Sequence, residues 1–173
     1  MRSFFWLLLL GVMLATIALV VRSGMLARHN PGQPLSTAMR EALDTPHLSE
    51  EDAAILDKRF ANAHRLPSGL MYIERAPGSG ETARLGSRLT VQYDGFLLDG
   101  TKFDSSRDRG RPLYFTVGMG EVIKGWDEAF LTMKKGERRT LIVPYWLGYG
   151  ESSRGPIPAR ATLVFEVELL DIQ

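Results

Sequence analysis

The chain has 173 residues, enough for one domain with appendages. Its 21 Lys and Arg against 20 Asp and Glu leave it close to neutral, and no long basic run marks it for nucleic acid. It contains no cysteine, which excludes disulfides, thiol catalysis, cysteine-ligated zinc and lipid attachment through a thiol.

The first element is apolar. Phe4 to Val21 reads FFWLLLLGVMLATIALVV without a charge, between Arg2 and Arg22. The apolar core of a signal peptide spans ~7–15 residues and a membrane-spanning helix ~17–25. The length therefore predicts a single-pass anchor over residues 1–22. Met25-Leu26-Ala27 offers a small-residue cleavage site, which leaves an exported soluble form as the alternative. Arg2 and the terminal amine favour a cytoplasmic start, while Arg22 and Arg28 oppose it. We expect the carboxyl-terminal domain outside the cytoplasmic membrane.

Residues 23–65 read as a linker and a short helical spacer. His29-Asn30-Pro31-Gly32 and Pro34 break regular structure. Ser36 can cap a short helix through Leu43. Ser49 caps a better one, because Glu50, Glu51 and Asp52 follow at the positive end of the helix dipole. Ile55, Leu56, Phe60 and Ala63 form its apolar stripe, with an end expected near His64. These helices could pack on the domain or on a second copy of themselves; because the stripe is narrow, they are read as a spacer between membrane and domain.

From Leu70 the period changes from helix to strand. Leu70–Glu74 is the first strand, closed by a turn at Pro77-Gly78-Ser79-Gly80. Leu89, Val91, Tyr93, Gly95 and Leu97 then alternate with polar neighbours, which puts the odd positions on one face. Asp99-Gly100 is a hairpin signal. Leu113, Phe115 and Val117 alternate next. A helix is expected over 120–130, starting at Glu121, with Ile123, Trp126 and Phe130 on one face. Arg139–Val143 and Thr162–Ile172 complete the set, the last with Leu163, Phe165, Val167 and Leu169 inward. Five strands joined by turns around one helix imply an α+β unit with an antiparallel sheet.

The inward faces concentrate aromatic surface. Tyr93, Leu113, Phe115 and Phe165 point toward Val122, Ile123 and Trp126. Tyr149 lies in the loop Gly148-Tyr149-Gly150, ahead of Pro156-Ile157-Pro158. Such side chains either fill a core or line an apolar cleft for a small ligand, and for Trp126 and Phe165 alone the two readings stay open.

Taken together the motifs resemble the FKBP-type peptidyl-prolyl isomerase family. Val91-Gln92-Tyr93-Asp94-Gly95, Asp99-Gly100 and Phe103-Asp104-Ser105-Ser106 resemble its first signature. Glu121-Val122-Ile123-Lys124-Gly125-Trp126 resembles its second, and Ala161–Leu170 its closing strand. Leu66-Pro67-Ser68-Gly69-Leu70 is similar to bacterial members, and exported and membrane-anchored bacterial members resemble the layout of the whole chain. The likeness covers residues 66–173. It implies a twisted half-barrel sheet over one short helix, and rotation of X–Pro bonds in unfolded or folding extracytoplasmic proteins.

The resemblance also implies a site. Tyr93, Asp104, Trp126, Tyr149 and Phe165 take the catalytic positions. Phe103, Arg109, Leu113, Val122, Ile123 and Ile157 take the substrate-binding ones. Trp126 would floor the cleft under the proline ring. The Ile123 N–H and the Tyr149 hydroxyl would bind substrate carbonyls, and Asp104 would pair with Arg109 while aiming its field at the rotating carbonyl. Proline-containing polypeptides and macrolide inhibitors are the implied partners, with no cofactor and no metal. Leu113 stands where the family has an aromatic, Pro156 where it has a β-branched residue, and Gln92 where a His is common. Tyr145-Trp146-Leu147 replaces a Pro-Asp-Tyr-like run, and the loop before the last strand is one residue short. These departures bear on peptide preference and macrolide affinity more than on activity.

Other chemistries fit poorly. Gly118-Met119-Gly120 opens a helix, but Ile123 stands where a dinucleotide loop needs glycine, and no βαβ unit surrounds it. His29, His47 and His64 are scattered ahead of the domain, which does not suit a metal site or acid–base catalysis. Ser105 lacks a histidine partner in the domain. The rival reading is a chaperone-type module with an inactive isomerase fold that holds peptides. Dimerisation through the anchor and spacer would give a two-armed version, and the oligomeric state stays open.

Overall fold

The computed structural model describes residues 46–173. The expected anchor over 1–22, the linker and the helix from Ser36 lie outside the described residues. In chain order the elements are α1 (Glu50–Arg59), β1 (His64–Arg65), β2 (Met71–Ala76), β3 (Ser79–Thr82), β4 (Arg88–Leu97), β5 (Lys102–Ser105) and β6 (Leu113–Thr116). Then come α2 (Lys124–Phe130), β7 (Lys134–Lys135), β8 (Arg138–Val143), a 3-10 turn (Tyr145–Leu147) and β9 (Leu163–Ile172).

The main sheet is antiparallel, in the order β1-β2-β8-β9-β4-β5, with β6 also on β4. β4 is the spine. One edge pairs along its length with β9, Gly95 opposite Phe165 and Tyr93 opposite Val167. Its other edge is shared: Arg88–Val91 pair with β6, and Asp94–Phe96 pair with β5. Residues 106–112 therefore leave β5 and return to β6 beside the middle of β4. The expected five strands become seven in this sheet. The two-residue β1 and the separate β5 were too short for a periodicity signal. The expected turn at Pro77–Gly80 is also revised, because Ser79–Thr82 pairs with Lys134–Lys135 as a two-stranded ribbon.

One face of the sheet packs on α2. Leu89, Val91, Phe115, Leu141, Val143, Leu163 and Leu169 surround Trp126, Ala129 and Phe130. Gly125 allows this contact, since a Cβ there would stand 2.7 Å from Val143 Cγ1. The helix starts at Lys124 rather than Glu121. Ile123 is its extended N-cap residue, and the Glu121 carboxylate instead accepts the Thr116 N–H at 2.9 Å. The Asp127 carboxylate accepts from Gly118 N at 2.7 Å and Gly120 N at 3.0 Å, which pins the approach to the helix.

The opposite face is covered as well, and this corrects the reading of residues 50–59 as a spacer. Leu56 is 1% exposed and packs with Met71, Leu98, Ile142 and Val164, flanked by Ile55, Phe60 and Ala63. The helix has the expected cap, Ser49 Oγ accepting the Asp52 N–H at 3.0 Å. It ends at Arg59, before the expected His64, because His64 and Arg65 pair with Tyr72 and Met71. Polar contacts fix both ends: Thr162 Oγ1 donates to Asp52 Oδ2 at 2.6 Å, and Arg59 donates to the Leu98 carbonyl. The compact unit runs from Pro46 to Gln173, ahead of the expected boundary at residue 66.

Candidate active site

Between α2 and the concave face of the sheet lies a cleft of about 740 Å³. Tyr93, Phe103, Asp104, Leu113, Val122, Ile123, Trp126, Tyr149 and Phe165 all line it, from six separate segments of chain. Arg109 and Ile157 do not. Arg109 acts from behind, on Tyr93 and Asp104. Ile157 is buried in the same core as Trp126 and Phe165, and its backbone bridges to Arg154. Sequence reasoning missed Tyr114, Glu121, Lys124 and Arg154 as lining residues. Their polar or alternate-face positions gave no inward signal.

Trp126 forms the floor. It is 3% exposed, and aromatic edges surround it: Tyr93 at 5.0 Å and 84°, Phe165 at 5.2 Å and 80°, Phe130 at 5.4 Å and 61°. Edge-to-face contacts set the positive rim of one ring on the negative face of the next, which fixes the rings as well as burying them. The Trp126 indole N–H finds no hydrogen-bond partner among the described residues. Phe103 meets Phe165 edge-on at 5.7 Å. Gly95 makes this possible, since a Cβ there would lie 2.8 Å from the Phe103 ring and 3.0 Å from that of Phe165.

One wall is polar and internally paired. The Tyr93 hydroxyl donates to Asp104 Oδ2 at 2.5 Å and accepts from Arg109 Nη2 at 2.6 Å. Arg109 Nη1 donates to Asp104 Oδ1, which also takes the Ser105 N–H at 2.8 Å. The guanidinium stands 5.4 Å from the Tyr93 ring centre. Burial, and then the Asp104 hydrogen bond, push the Tyr93 phenol up to about 12, with Arg109 opposing. Tyr93 is therefore a neutral donor at physiological pH. The loop that carries Arg109 is latched to β4. Ser105 Oγ donates to Asp94 Oδ1 at 2.5 Å, Arg107 Nε to Asp94 Oδ2 at 3.2 Å, and Ser106 Oγ to Gln92 Oε1. Gln92 thus has a defined task in place of the family's histidine.

Besides the buried Trp126 indole N–H, two donors are left unused at the apolar floor. Among the described residues the Ile123 N–H has no acceptor, and the Tyr149 hydroxyl makes no hydrogen bond. Burial pushes the Tyr149 phenol up; Arg154 pulls the other way and Asp104 adds to the rise. It too stays a neutral donor. The segment behind it is braced: Trp146 Nε1 donates to the Ser68 carbonyl at 2.9 Å, and Arg160 Nη2 to the Tyr145 hydroxyl at 2.9 Å. The site is an apolar hole with a self-compensated carboxylate and, besides the buried Trp126 N–H, two neutral donors unpaired among the described residues. Among the described residues, no group of His, Cys, Asp and Glu stands ready for a metal.

Comparison with known proteins agrees with this geometry. A profile of the FKBP-type peptidyl-prolyl cis-trans isomerase family matches residues 79–170. The chain is 51% identical over 105 residues to an FK506-binding protein of Neisseria meningitidis serogroup B, covering 60% of this chain and 96% of that one. It is 48% identical over 107 residues to the peptidyl-prolyl cis-trans isomerase Fkbp12 of Drosophila melanogaster, covering 61% of this chain and 99% of that one. Among solved structures it is similar to the crystal structure of AtFKBP13, with a TM-score of 0.63 and 37% identity over 64% of this chain and 98% of that one. The fold and site define a peptidyl-prolyl isomerase. The chain belongs to the FKBP-type peptidyl-prolyl cis-trans isomerase family.

Proposed function

We propose that the cleft accelerates X–Pro rotation in unfolded or folding extracytoplasmic proteins by desolvating and holding a twisted amide. The reaction needs no nucleophile. Amide resonance sets a rotation barrier of ~18–20 kcal/mol, and uncatalysed exchange takes ~10–100 s. In the twisted transition state resonance is lost, so the carbonyl is less polar and the nitrogen more basic. A cleft that excludes water favours this form over the planar one, and only such differential binding raises the rate.

The residues divide this work. Trp126 carries the proline ring, with Phe103, Val122, Ile123, Leu113 and Phe165 as walls. The Ile123 N–H and the Tyr149 hydroxyl hold substrate carbonyls on either side of the rotating bond. Asp104 orders Tyr93 and Arg109 and directs its field at the rotating carbonyl carbon. The observation that carries the proposal is the pairing of an aromatic floor with the Ile123 N–H and the Tyr149 hydroxyl, both unpaired among the described residues, in one cleft. Exchange NMR on a short Leu-Pro peptide with the full-length chain tests it. Catalytic broadening of the cis and trans resonances is expected. A folded protein that leaves the exchange rate unchanged would move the reading to a peptide-holding module.

The anchor supports a location. Residues 4–21 are uncharged and as long as a spanning helix. The proposed arrangement is single-pass in a bacterial cytoplasmic membrane, with the isomerase domain in the periplasm. Cleavage after Ala27 would give an exported soluble form. A carboxyl-terminal alkaline phosphatase fusion that stayed inactive in cells would contradict it.

A further inference from the structure

The charged groups around the cleft are not balanced locally. Each nearby carboxylate is already committed. Asp104 is held by Arg109 and Tyr93, and Glu121 accepts the Thr116 N–H. On α2, Asp127 accepts from Gly118 and Gly120, and Glu128 accepts from Ser68 Oγ at 2.8 Å. Glu151 pairs with Arg160 at 3.1 Å.

Two cations of the lining have no such partner. The Lys124 side chain makes no hydrogen bond or ion pair among the described residues. It occupies the first turn of α2, where the helix dipole disfavours a positive charge, so local helix energetics do not account for it. The Arg154 guanidinium lies 5.1 Å from the centre of the Tyr149 ring, with no carboxylate on it among the described residues. Each cation sits beside one of the two free donors. Lys124 follows Ile123 directly, and Arg154 covers Tyr149.

We propose that Lys124 and Arg154 form a specificity subsite that selects X–Pro segments carrying an acidic side chain next to the proline. The inference rests on the isomerase reading of the cleft. A substrate whose backbone is held by the Ile123 N–H and the Tyr149 hydroxyl places its flanking side chains at these cations. A glutamate or aspartate there meets two positive charges that carry no ion pair among the described residues, since the lining carboxylates Asp104 and Glu121 are held by Arg109 and Tyr93 and by the Thr116 N–H. A lysine meets repulsion. Charge complementarity of this exposed kind sets preference and encounter rate more than overall affinity.

The test uses the full-length chain and three matched peptides with Glu, Gln or Lys next to the proline, placed before it and then after it. The readout is the ratio of kcat/KM values from exchange NMR. A Glu-to-Gln ratio of about threefold to tenfold is expected at one of the two positions at low salt, shrinking as salt is added. Lys124→Glu should bring that ratio below one and raise turnover of the Lys peptide. Arg154→Gln should lower the ratio, and Arg154→Lys should restore it, which loss of Tyr149 support alone would not do. Turnover of all three peptides with equal kcat/KM at both positions would overturn this inference and leave the isomerase reading standing. No turnover of any peptide would overturn both.

Discussion

Tyr93 and Asp104 share a hydrogen bond of 2.5 Å at the mouth of an apolar cleft, and Arg109 donates to both. The pair joins an inward residue of β4 to one on β5, so the position of the carboxylate follows from strand register. Asp104 and Arg109 are 40% and 41% exposed. Their pairing therefore contributes little to stability, and the fold does not depend on it. Asp104→Leu should lower kcat/KM about tenfold to a hundredfold, equivalent to about 1.4–2.8 kcal/mol of transition-state stabilisation. Its thermal transition should match wild type closely. A variant with full turnover would remove the catalytic half of the Asp104 assignment and leave the structural half.

The same contact predicts an alkaline titration. The Tyr93 phenol is raised from its ordinary value of 10.0 to about 12, first by burial and then by Asp104. A group that holds its proton more tightly when folded stabilises the fold fully below the unfolded value. That contribution is lost as pH rises through the folded value. Stability should therefore decline between pH 10 and about 12 through this residue. Ultraviolet difference titration should show one tyrosine ionising near 12 that disappears in Tyr93→Phe. In Asp104→Asn it should move down, because the raising carboxylate is lost while Arg109 still pulls the phenol down.

On the far face, Leu56 of α1 is sealed against Met71, Ile142 and Val164. Leu56→Ala should cost about 2–5 kcal/mol, as truncation of a buried leucine does, with kcat/KM unchanged while the protein is folded. Denaturant unfolding of the full-length chain checks this. A loss below about 0.5 kcal/mol would mean that α1 is only loosely docked.

A buried ion pair gives a second stability prediction. Arg139 Nε donates to Glu137 Oε1 at 2.5 Å, with the side chains 7% and 5% exposed. The guanidinium also donates to Thr132 Oγ1 and O, and lies 4.5 Å from the Tyr72 ring centre. Removing the carboxylate alone strands a buried positive charge. Glu137→Ala should lose about 3–5 kcal/mol. Replacing both, as Glu137→Leu with Arg139→Met, should recover much of it. Equal losses in the single and double variants would argue against a stranded charge as the cause.

The cleft was more legible in the sequence than the architecture behind it. Alternation in β4 and β9 placed Tyr93 and Phe165 on one face, and the 3.6-residue period put Trp126 beneath them. The start of α2 was misplaced because Glu121 looks like a first-turn acid, yet its carboxylate serves the Thr116 backbone N–H. The packing of α1 was hidden for a different reason. Its stripe was visible, but the receiving surface is built from the alternate positions Ile142 and Val164, on strands far from α1 in sequence. A trace of it was there: Leu141-Ile142-Val143 and Leu163-Val164-Phe165 are continuously apolar, the pattern of a strand covered on both faces. Arg154 and Lys124 carry no pattern at all. Only the fold brings them to one rim.

The most direct test of the central claim compares Trp126→Ala with Leu56→Ala in the full-length chain. Both remove a large buried apolar group, one from the cleft floor and one from the opposite face of the sheet. Exchange NMR with an X–Pro peptide, at a temperature where near-ultraviolet circular dichroism shows both variants folded, gives kcat/KM for each. Trp126→Ala should lose most of the acceleration and Leu56→Ala almost none. Full turnover in a folded Trp126→Ala would contradict a mechanism in which this aromatic floor holds the twisted prolyl amide.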